Sequence, residues 1–348
     1  MSFSSDVLVI GGGPAGTAAA IWAATCGLSV VLLERTKFPR HRPGETLHPG
    51  AEPIFDQLGV TQEVAAASGV RHPGHALCWG GRRSFTRFGG DAHGPWRGYQ
   101  ILRERLDAIL MARARRLGVV TLQQVASGPV MDGNRVCGLS APHNLRAPFV
   151  VDASGVRGFL RRSLGLAEVA VSPPLRARYG YGSSDVADYE EMASLTGDGR
   201  GWLWTARVGK HMFSWVRLDL VGDPSGDNRL PTVAGVRWHG PVRGADVTWR
   251  FLPASAGPGY FLVGDAASVL DPASSHGILR AMMSGIMAAN VISKVLSGMI
   301  GEADGLRGYR AWHRSWFEHD AQLLRELYAE LDPPPHWVTA PIFDSQNV

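Results

Sequence analysis

Lysine is nearly missing from this chain. Of its 35 lysines and arginines, only Lys37, Lys210 and Lys294 are lysines. Any chemistry that needs an ammonium group is therefore limited to three positions. Cysteine is scarce too. Cys26, Cys78 and Cys137 lie far apart with no C-x-x-C spacing, which argues against a disulfide framework or a zinc site and fits a reducing compartment. No apolar run approaches the ~18 uninterrupted residues of a membrane span, and no basic leader opens the chain. The expectation is a soluble, cytoplasmic protein without stable membrane insertion. The net charge of +4 is spread without runs of like charge, so nucleic acid is not an expected partner. There is no internal repeat and no low-complexity segment.

What is present is a globular composition, 45% hydrophobic and 19% charged over 348 residues, with 43 glycines. That length suits one large domain or two intimately packed ones. The glycines suggest tight turns and places where the backbone approaches another group closely.

The N-terminal segment is the most informative. Asp6-Val7-Leu8-Val9-Ile10 reads as a parallel strand buried on both faces. Gly11-Gly12-Gly13-Pro14-Ala15-Gly16 follows, then an alanine-rich helical stretch from Thr17 to Cys26, then a second strand, Ser29 to Leu33, that ends in Glu34. Gly11, Gly13 and Gly16 stand in G-x-G-x-x-G register. The first permits the sharp turn, the second lets a pyrophosphate approach the backbone, and the third lets the helix pack on the strands. The helix start offers unpaired N–H groups to the phosphates, and Glu34 is placed for an adenosine ribose. This unit indicates a dinucleotide without separating FAD from NAD(P).

Further along, a helix is expected from Ala51 to Ser68 and antiparallel strands from His72 to Trp96. Another helix fits Leu102 to Leu117, and strands fit Val119 to Val125 and Phe149 to Val151. The second of these runs into Asp152-Ala153-Ser154-Gly155. Leu175 to Leu252 is strand-like and carries tryptophans at 202, 204, 215, 238 and 249. The apolar run Tyr260 to Val263 ends in Gly264-Asp265, and after VLDPASSHG a helix should run through Ile292. Tyr309 to Leu331 reads as an amphipathic helix, and the last seventeen residues as irregular. The expected fold is α/β (α+β): a Rossmann-like FAD-binding domain assembled discontinuously from 1–70, 97–165 and 255–300. An inserted antiparallel β-sheet substrate domain would take 71–96 and 166–254, and a C-terminal helix and tail 301–348.

Four segments in order carry a resemblance: GGGPAG with Glu34, Ile101-Leu102-Arg103-Glu104-Arg105-Leu106-Asp107, VVDASG at 150–155, and VGDAASVLDPASSHGILRAMMSG at 263–285. Together they resemble the FAD-dependent aromatic hydroxylase superfamily, which includes the flavin-dependent halogenases and geranylgeranyl reductases. The resemblance implies FAD as cofactor, O₂ as co-substrate, and NAD(P)H or a separate flavin reductase as electron source. It places Arg103 along the pyrophosphate and ribityl region, Ala153 and Gly155 near the adenosine side, and Asp265 on the ribityl chain. A solvated helix arginine and a helix cap are the plain alternatives for Arg103 and Asp265. Pro272 through Ile278, with Ser275 and Gly277, would lie against the isoalloxazine. Pro14, Ala15, Arg35, Thr46, Val125 and Gly264 complete the implied cofactor contacts, and no metal is implied.

DPASSHGILRAMMSG is similar to the halogenase branch, and Gly201-Trp202-Leu203-Trp204 to the start of its W-x-W-x-I-P signature. Ala206 and Arg207, however, stand where isoleucine and proline belong, and nothing between Lys37 and Lys210 supplies that branch's lysine. The segment Phe38 to Gly50 resembles flavoproteins that oxygenate tryptophan in enzymes with cysteine tryptophylquinone. The reaction thus implied is hydroxylation of an aromatic, indole-like substrate through a flavin C4a-hydroperoxide, with a tryptophan of a partner protein or peptide among the substrates. Halogenation, small-molecule hydroxylation, prenyl-chain reduction and a non-catalytic accessory role are the alternatives. His276 is the first acid/base candidate and Glu45 the second. Trp79, Trp202 and Trp204 are candidates for the substrate pocket, with burial in the sheet core as the other reading.

Overall fold

The structure is a computed structural model that describes residues 3–142, 144–184, 193–221, 230, 235–340 and 342. Parts of the strand-like reading at 185–192, 222–229 and 231–234, and of the irregular tail at 341 and 343–348, lie outside the described residues.

The chain begins with β1 (Val7–Ile10), α1 (Pro14–Thr25) and β2 (Val30–Leu33). The single helix expected from Ala51 to Ser68 is instead two, α2 (Glu52–Leu58) and α3 (Thr61–Ala67). Gly59 between them adopts φ +66°, the left-handed conformation that ends a helix. A hairpin of β3 (Gly74–Trp79) and β4 (Arg82–Arg87) precedes α4 (Arg103–Arg116), β5 (Val120–Leu122) and β6 (Phe149–Asp152). The strand expected over Val119 to Val125 is confined to its first half. After α5 (Phe159–Ser163) come β7 (Arg176–Ser183), β8 (Ala193–Asp198), β9 (Gly201–Arg207), β10 (Met212–Asp219) and β11 (Arg237–Asp246). The chain then returns through β12 (Ala256–Gly257) and β13 (Tyr260–Leu262) to α6 (Gly277–Leu296) and α7 (Glu302–Ala329).

Two sheets organise these elements. The first has the order β5-β2-β1-β6-β13-β12 and is parallel except for its last strand. Apart from the edge strand β5, its strands are buried on both faces, which explains the unbroken apolar runs of β1 and β2. Val7, Val9, Leu32, Phe149, Val151 and Phe261 point to one side, into a core shared with α1, α4 and α6. Leu8, Ile10, Val31, Val150 and Leu262 point to the other, against Leu139, Leu145 and Leu160. The second sheet has the order β11-β7-β10-β9-β8-β3-β4 and is antiparallel except where β8 meets β3.

α6 is, among the described residues, the one helix long and apolar enough to cross a membrane. Its apolar side is spent on the core. A Cβ on Gly285 would lie 2.2 Å from the Ala15 carbonyl oxygen, so α1 and α6 pack backbone to backbone.

α7 covers one face of the second sheet. Phe317, Ala321, Leu324 and Tyr328 pack with Trp79, Trp202, Leu218 and Trp249. At the centre the fully buried Asp271 accepts hydrogen bonds from Trp249 Nε1 (2.7 Å), Tyr328 Oη (2.7 Å) and the Ala273 amide (3.0 Å). Trp202 Nε1 donates in turn to Tyr328 Oη at 2.9 Å. The tyrosine hydroxyl therefore joins sheet, helix and loop. Tyr328→Phe strands the Trp202 N–H and removes one donor from Asp271, a loss of about 1–3 kcal/mol. Urea unfolding should show the matching fall in midpoint, and an unchanged midpoint would remove this hydroxyl from the structural account.

Candidate functional site

The parallel sheet brings the sequence motifs to one edge. Ile10 is in register with Leu33 and Asp152, Leu33 with Leu122, and Asp152 with Leu262. Five strands therefore end level. The turns that follow them, at 11–16, 34–35, 123–125, 153–155 and 263–265, emerge side by side, where open α/β sheets take their ligands.

The glycine turn has no room for side chains. Gly11 has φ +97°, and a Cβ there would lie 2.4 Å from the Ala153 carbonyl oxygen; one on Gly16 would lie 1.9 Å from that of Gly11. Ala15 sits against Gly264, whose φ is +59° and whose Cβ would be 3.0 Å from that of Ala15. α1 begins with Pro14 after Gly13, with no side-chain cap and no acid in its first turn, so its free N–H groups are left for an anion. Arg40 lies beside this turn, with Nη2 3.5 Å from where a Gly13 Cβ would stand.

Glu34 ends β2 as expected and is half of a clamp. Its Oε2 accepts from the Gly12 amide (2.8 Å) and from Arg40 (2.9 Å), and its Oε1 from the Thr36 amide (2.8 Å). Asp107, fully buried, holds the other half: Arg103 Nε at 3.0 Å and Arg40 Nη2 at 3.5 Å. Arg103 also donates to the Pro43 carbonyl at 3.0 Å. A buried arginine beside an uncapped glycine turn fits the pyrophosphate of FAD, and the strand-end acid fits its ribose. Asp152 fixes the neighbouring turn by accepting from the Ser154 and Leu160 amides, which presents Ala153 and Gly155. Arg35 and Val125 are exposed on the same edge.

At the other end, the loop at 43–48 meets the start of α6. A Cβ on Gly44, which has φ +102°, would lie 3.5 Å from Ile278 Cδ1 and 3.6 Å from Arg103 Nη1. Glu45 is buried; it accepts from Tyr181 Oη of β7 at 2.5 Å and from the Gly44 amide at 3.1 Å. Burial pushes its carboxyl up, against these hydrogen bonds and the Arg103 charge. Thr46 donates to Gln100 at 2.9 Å. Ser275, after Pro272, is the only non-glycine among the described residues with positive φ, at +52°. Such strain persists only where the surroundings impose it. α6 starts at Gly277 without a side-chain cap or a first-turn acid, a second N-terminus suited to negative charge. Asp265 shares a cleft with Gly277, Arg280, Trp312 and Phe317. Its carboxylate is open to that cleft, and the surrounding protein raises it against the pull of Arg280 and Arg103.

Beyond this end lies a group of rings. His48 is 5.0 Å from Phe88 and 5.3 Å from His276, and His75 is 5.9 Å from Phe88 and 6.4 Å from Trp204. Trp204, one of the three tryptophans expected near the substrate, lies at the edge of this group. Trp79 and Trp202 do not. Trp79 donates to the Leu327 carbonyl, and Trp202 to Tyr328. Although Trp202 and Trp204 share a strand face, α7 covers the Trp202 end of it. Sequence reasoning also missed Arg40, Asp107, Asp271, Arg280 and Asp320. Of these only the Arg103–Asp107 i,i+4 spacing left a readable signal. All three lysines are exposed, Lys210 in the turn between β9 and β10 and Lys294 near the end of α6.

Gly13 offers a clean test of the phosphate site, because its φ of −78° and ψ of −178° accept any residue. Gly13→Asp should cap α1 and keep or raise the thermal midpoint of the apoprotein. By placing a carboxylate where the pyrophosphate belongs, it should weaken FAD at least ~100-fold, about 2.7 kcal/mol, in a fluorescence titration. Unchanged FAD affinity would move the phosphate site elsewhere.

Comparison with known proteins agrees with this geometry. Residues 4–178 match the family described as the FAD binding domain. A tryptophan 2-halogenase of Chondromyces crocatus is 27% identical over 93% of this chain and 68% of its own length. A 1H-pyrrole-2-carbonyl-[peptidyl-carrier protein] brominase of Pseudoalteromonas luteoviolacea is 27% identical over 93% of this chain and 86% of its own. Among solved structures, the myxobacterial chondrochloren halogenase CndH superposes with a TM-score of 0.88 at 25% identity, covering 99% of this chain and 87% of that one. The chain belongs to the FAD-binding-domain family and is an FAD-dependent oxidoreductase.

Proposed function

We propose that this enzyme uses reduced FAD and O₂ to oxidise an electron-rich aromatic ring held between the flavin and the second sheet, and that the outcome is hydroxylation. The observation that carries the reading is the group of rings, His48, Phe88, His75 and Trp204, beside the Gly44–Glu45 loop and the start of α6. Flat rings on several sides suit a flat apolar substrate. Bound FAD supplies the electrons and the oxygen activation. The chain's own residues then have three tasks: to hold the cofactor through the α1 turn, Arg103 and Asp265, to fix the substrate ring, and to manage its protons. Electrons reach the flavin from NAD(P)H or a separate reductase. In this reading 1–70, 97–165 and 255–300 bind FAD, while 71–96 and 166–254 cover the substrate.

Halogenation is the second reading, and the relatives favour it, since those named above include a tryptophan halogenase and a brominase. Against it stand the three exposed lysines, none of which is placed to steer an oxidised halide. The brominase's pyrrole is borne on a carrier protein, which supports a macromolecule-borne ring, such as a partner protein's tryptophan, as one form of substrate here.

Product mass separates the readings. Reduced enzyme given O₂ and tryptophan, a tryptophan peptide or pyrrole-2-carboxylate should yield a product heavier by one oxygen atom, whether or not chloride or bromide is present. A halogenated product that requires halide would overturn hydroxylation in favour of halogenation.

A further inference from the structure

Three elements far apart in sequence bring two histidines and one buried acid together. His276, just ahead of α6, places Nδ1 3.3 Å from Asp320 Oδ1. Asp320 belongs to α7 and is 1% exposed, and its other oxygen lies 3.2 Å from Arg280 Nε. Burial acts to raise the Asp320 carboxyl, but the His276 hydrogen bond and the charges of Arg280 and His276 override it and hold it below the usual value. An ionised carboxylate only accepts. When the His276 ring is neutral, its proton is therefore on Nδ1 and Nε2 carries the lone pair. The ring is 27% exposed.

His48 has the opposite tautomer. Its Nδ1 accepts from the Gly50 amide at 3.0 Å, capping the turn at Pro49–Ala51. Protonating Nδ1 would set two donors against each other, so the hydrogen stays on Nε2. The ring stands edge-on to His276, with an interplanar angle of 89°. Burial first, then His276, His75 and His72, push His48 down to about 4, so it is neutral throughout the physiological range. The charged and titratable groups facing the pair are Asp320 and, behind it, His319 from α7, Arg280 from α6, His75 from β3, and His72 just before β3.

We propose that His276 and His48 are a proton-handling pair over the substrate ring: His276 Nε2 takes the proton, Asp320 is its positioning residue, and His48 Nε2–H donates a hydrogen bond to the ring's polar substituent. This rests on the aromatic-oxidation reading above. The ring's N–H, O–H or attacked-carbon C–H bond breaks, its electron pair stays on the ring, and the proton forms a new N–H bond on His276. The resulting imidazolium is stabilised by the Asp320 carboxylate. Asp320 thus plays the part a carboxylate plays behind any orienting histidine.

Two measurements test this separately from the reading. Long-range ¹H–¹⁵N spectra of the histidine rings in FAD-loaded protein should show His48 as the neutral Nε2–H tautomer throughout the neutral range and His276 as Nδ1–H when neutral. In Asp320→Asn the neutral His276 ring should lose its fixed Nδ1–H tautomer, because an amide can present either a donor or an acceptor. Reversed tautomers in the wild type, or an unchanged His276 tautomer in Asp320→Asn, would overturn the pair whatever the substrate proves to be. In turnover, His276→Ala should lower kcat by ~10²-fold or more with FAD still bound, and Asp320→Asn should lower kcat together with the loss of the Nδ1–H tautomer. His48→Asn keeps the cap on Gly50 but loses the Nε2–H, so it should lower kcat without changing the His276 tautomer. Wild-type kcat in all three variants would refute the pair, whereas correct tautomers without aromatic turnover by the wild type would refute only the aromatic-oxidation reading.

Discussion

A carboxylate sealed from solvent holds the functional loop in place. Asp271 accepts from a loop tryptophan, a helix tyrosine and a backbone amide, and burial pushes its carboxyl up in spite of them. A polar group this deep is tolerated only when its partners are in position. Trp249, Tyr328 and the turn at Pro272–Ser274 must therefore adopt one mutual arrangement. That arrangement sets Ser275 in its left-handed conformation, starts α6 at Gly277, and brings α7 close enough for Asp320 to reach His276. The geometry around His276 follows from the packing of α7.

The cofactor end depends on a simpler constraint. Parallel strands in register finish level, so turns that are distant in sequence become neighbours. Glycine is then required where backbone meets backbone, at Gly11 against Ala153, at Gly16 against Gly11, and at Gly285 against Ala15. The Glu34–Arg40 and Asp107–Arg103 pairs keep four charges half or fully buried but mutually compensated. Such clusters add positional definition more than stability.

Much of this was legible in advance. The βαβ unit, the terminal acid of β2, the strand at 149–152 and the helices on either side of residue 300 follow from local periodicity and turn chemistry. These signals are short-range, and tertiary context reinforces them. The misreadings came where long-range packing outweighed a local pattern. Trp202 and Trp204 lie on one strand face at a period of two, which promises them equal surroundings; α7 covers one and leaves the other beside His75. The stretch from 51 to 68 has helical periodicity throughout, yet Gly59 takes a left-handed turn and splits it.

The sequence by itself determined that this chain binds a dinucleotide and that a glycine turn opens its first helix. A glycine turn, a helix start and a strand-end acid are made by contiguous residues, so their geometry is nearly local. Only the tertiary structure decided the surroundings of the reactive end. Asp320 and His48 come from elements separated from His276 by long stretches of chain, and no spacing rule connects them. Their meeting depends on how α7 and the loop at 44–50 pack, because packing places a buried carboxylate behind His276, whereas His48 takes its backbone amide from Gly50 two residues along the same turn. The carboxylate, absent from any local pattern, is the neighbour that only the folded chain supplies.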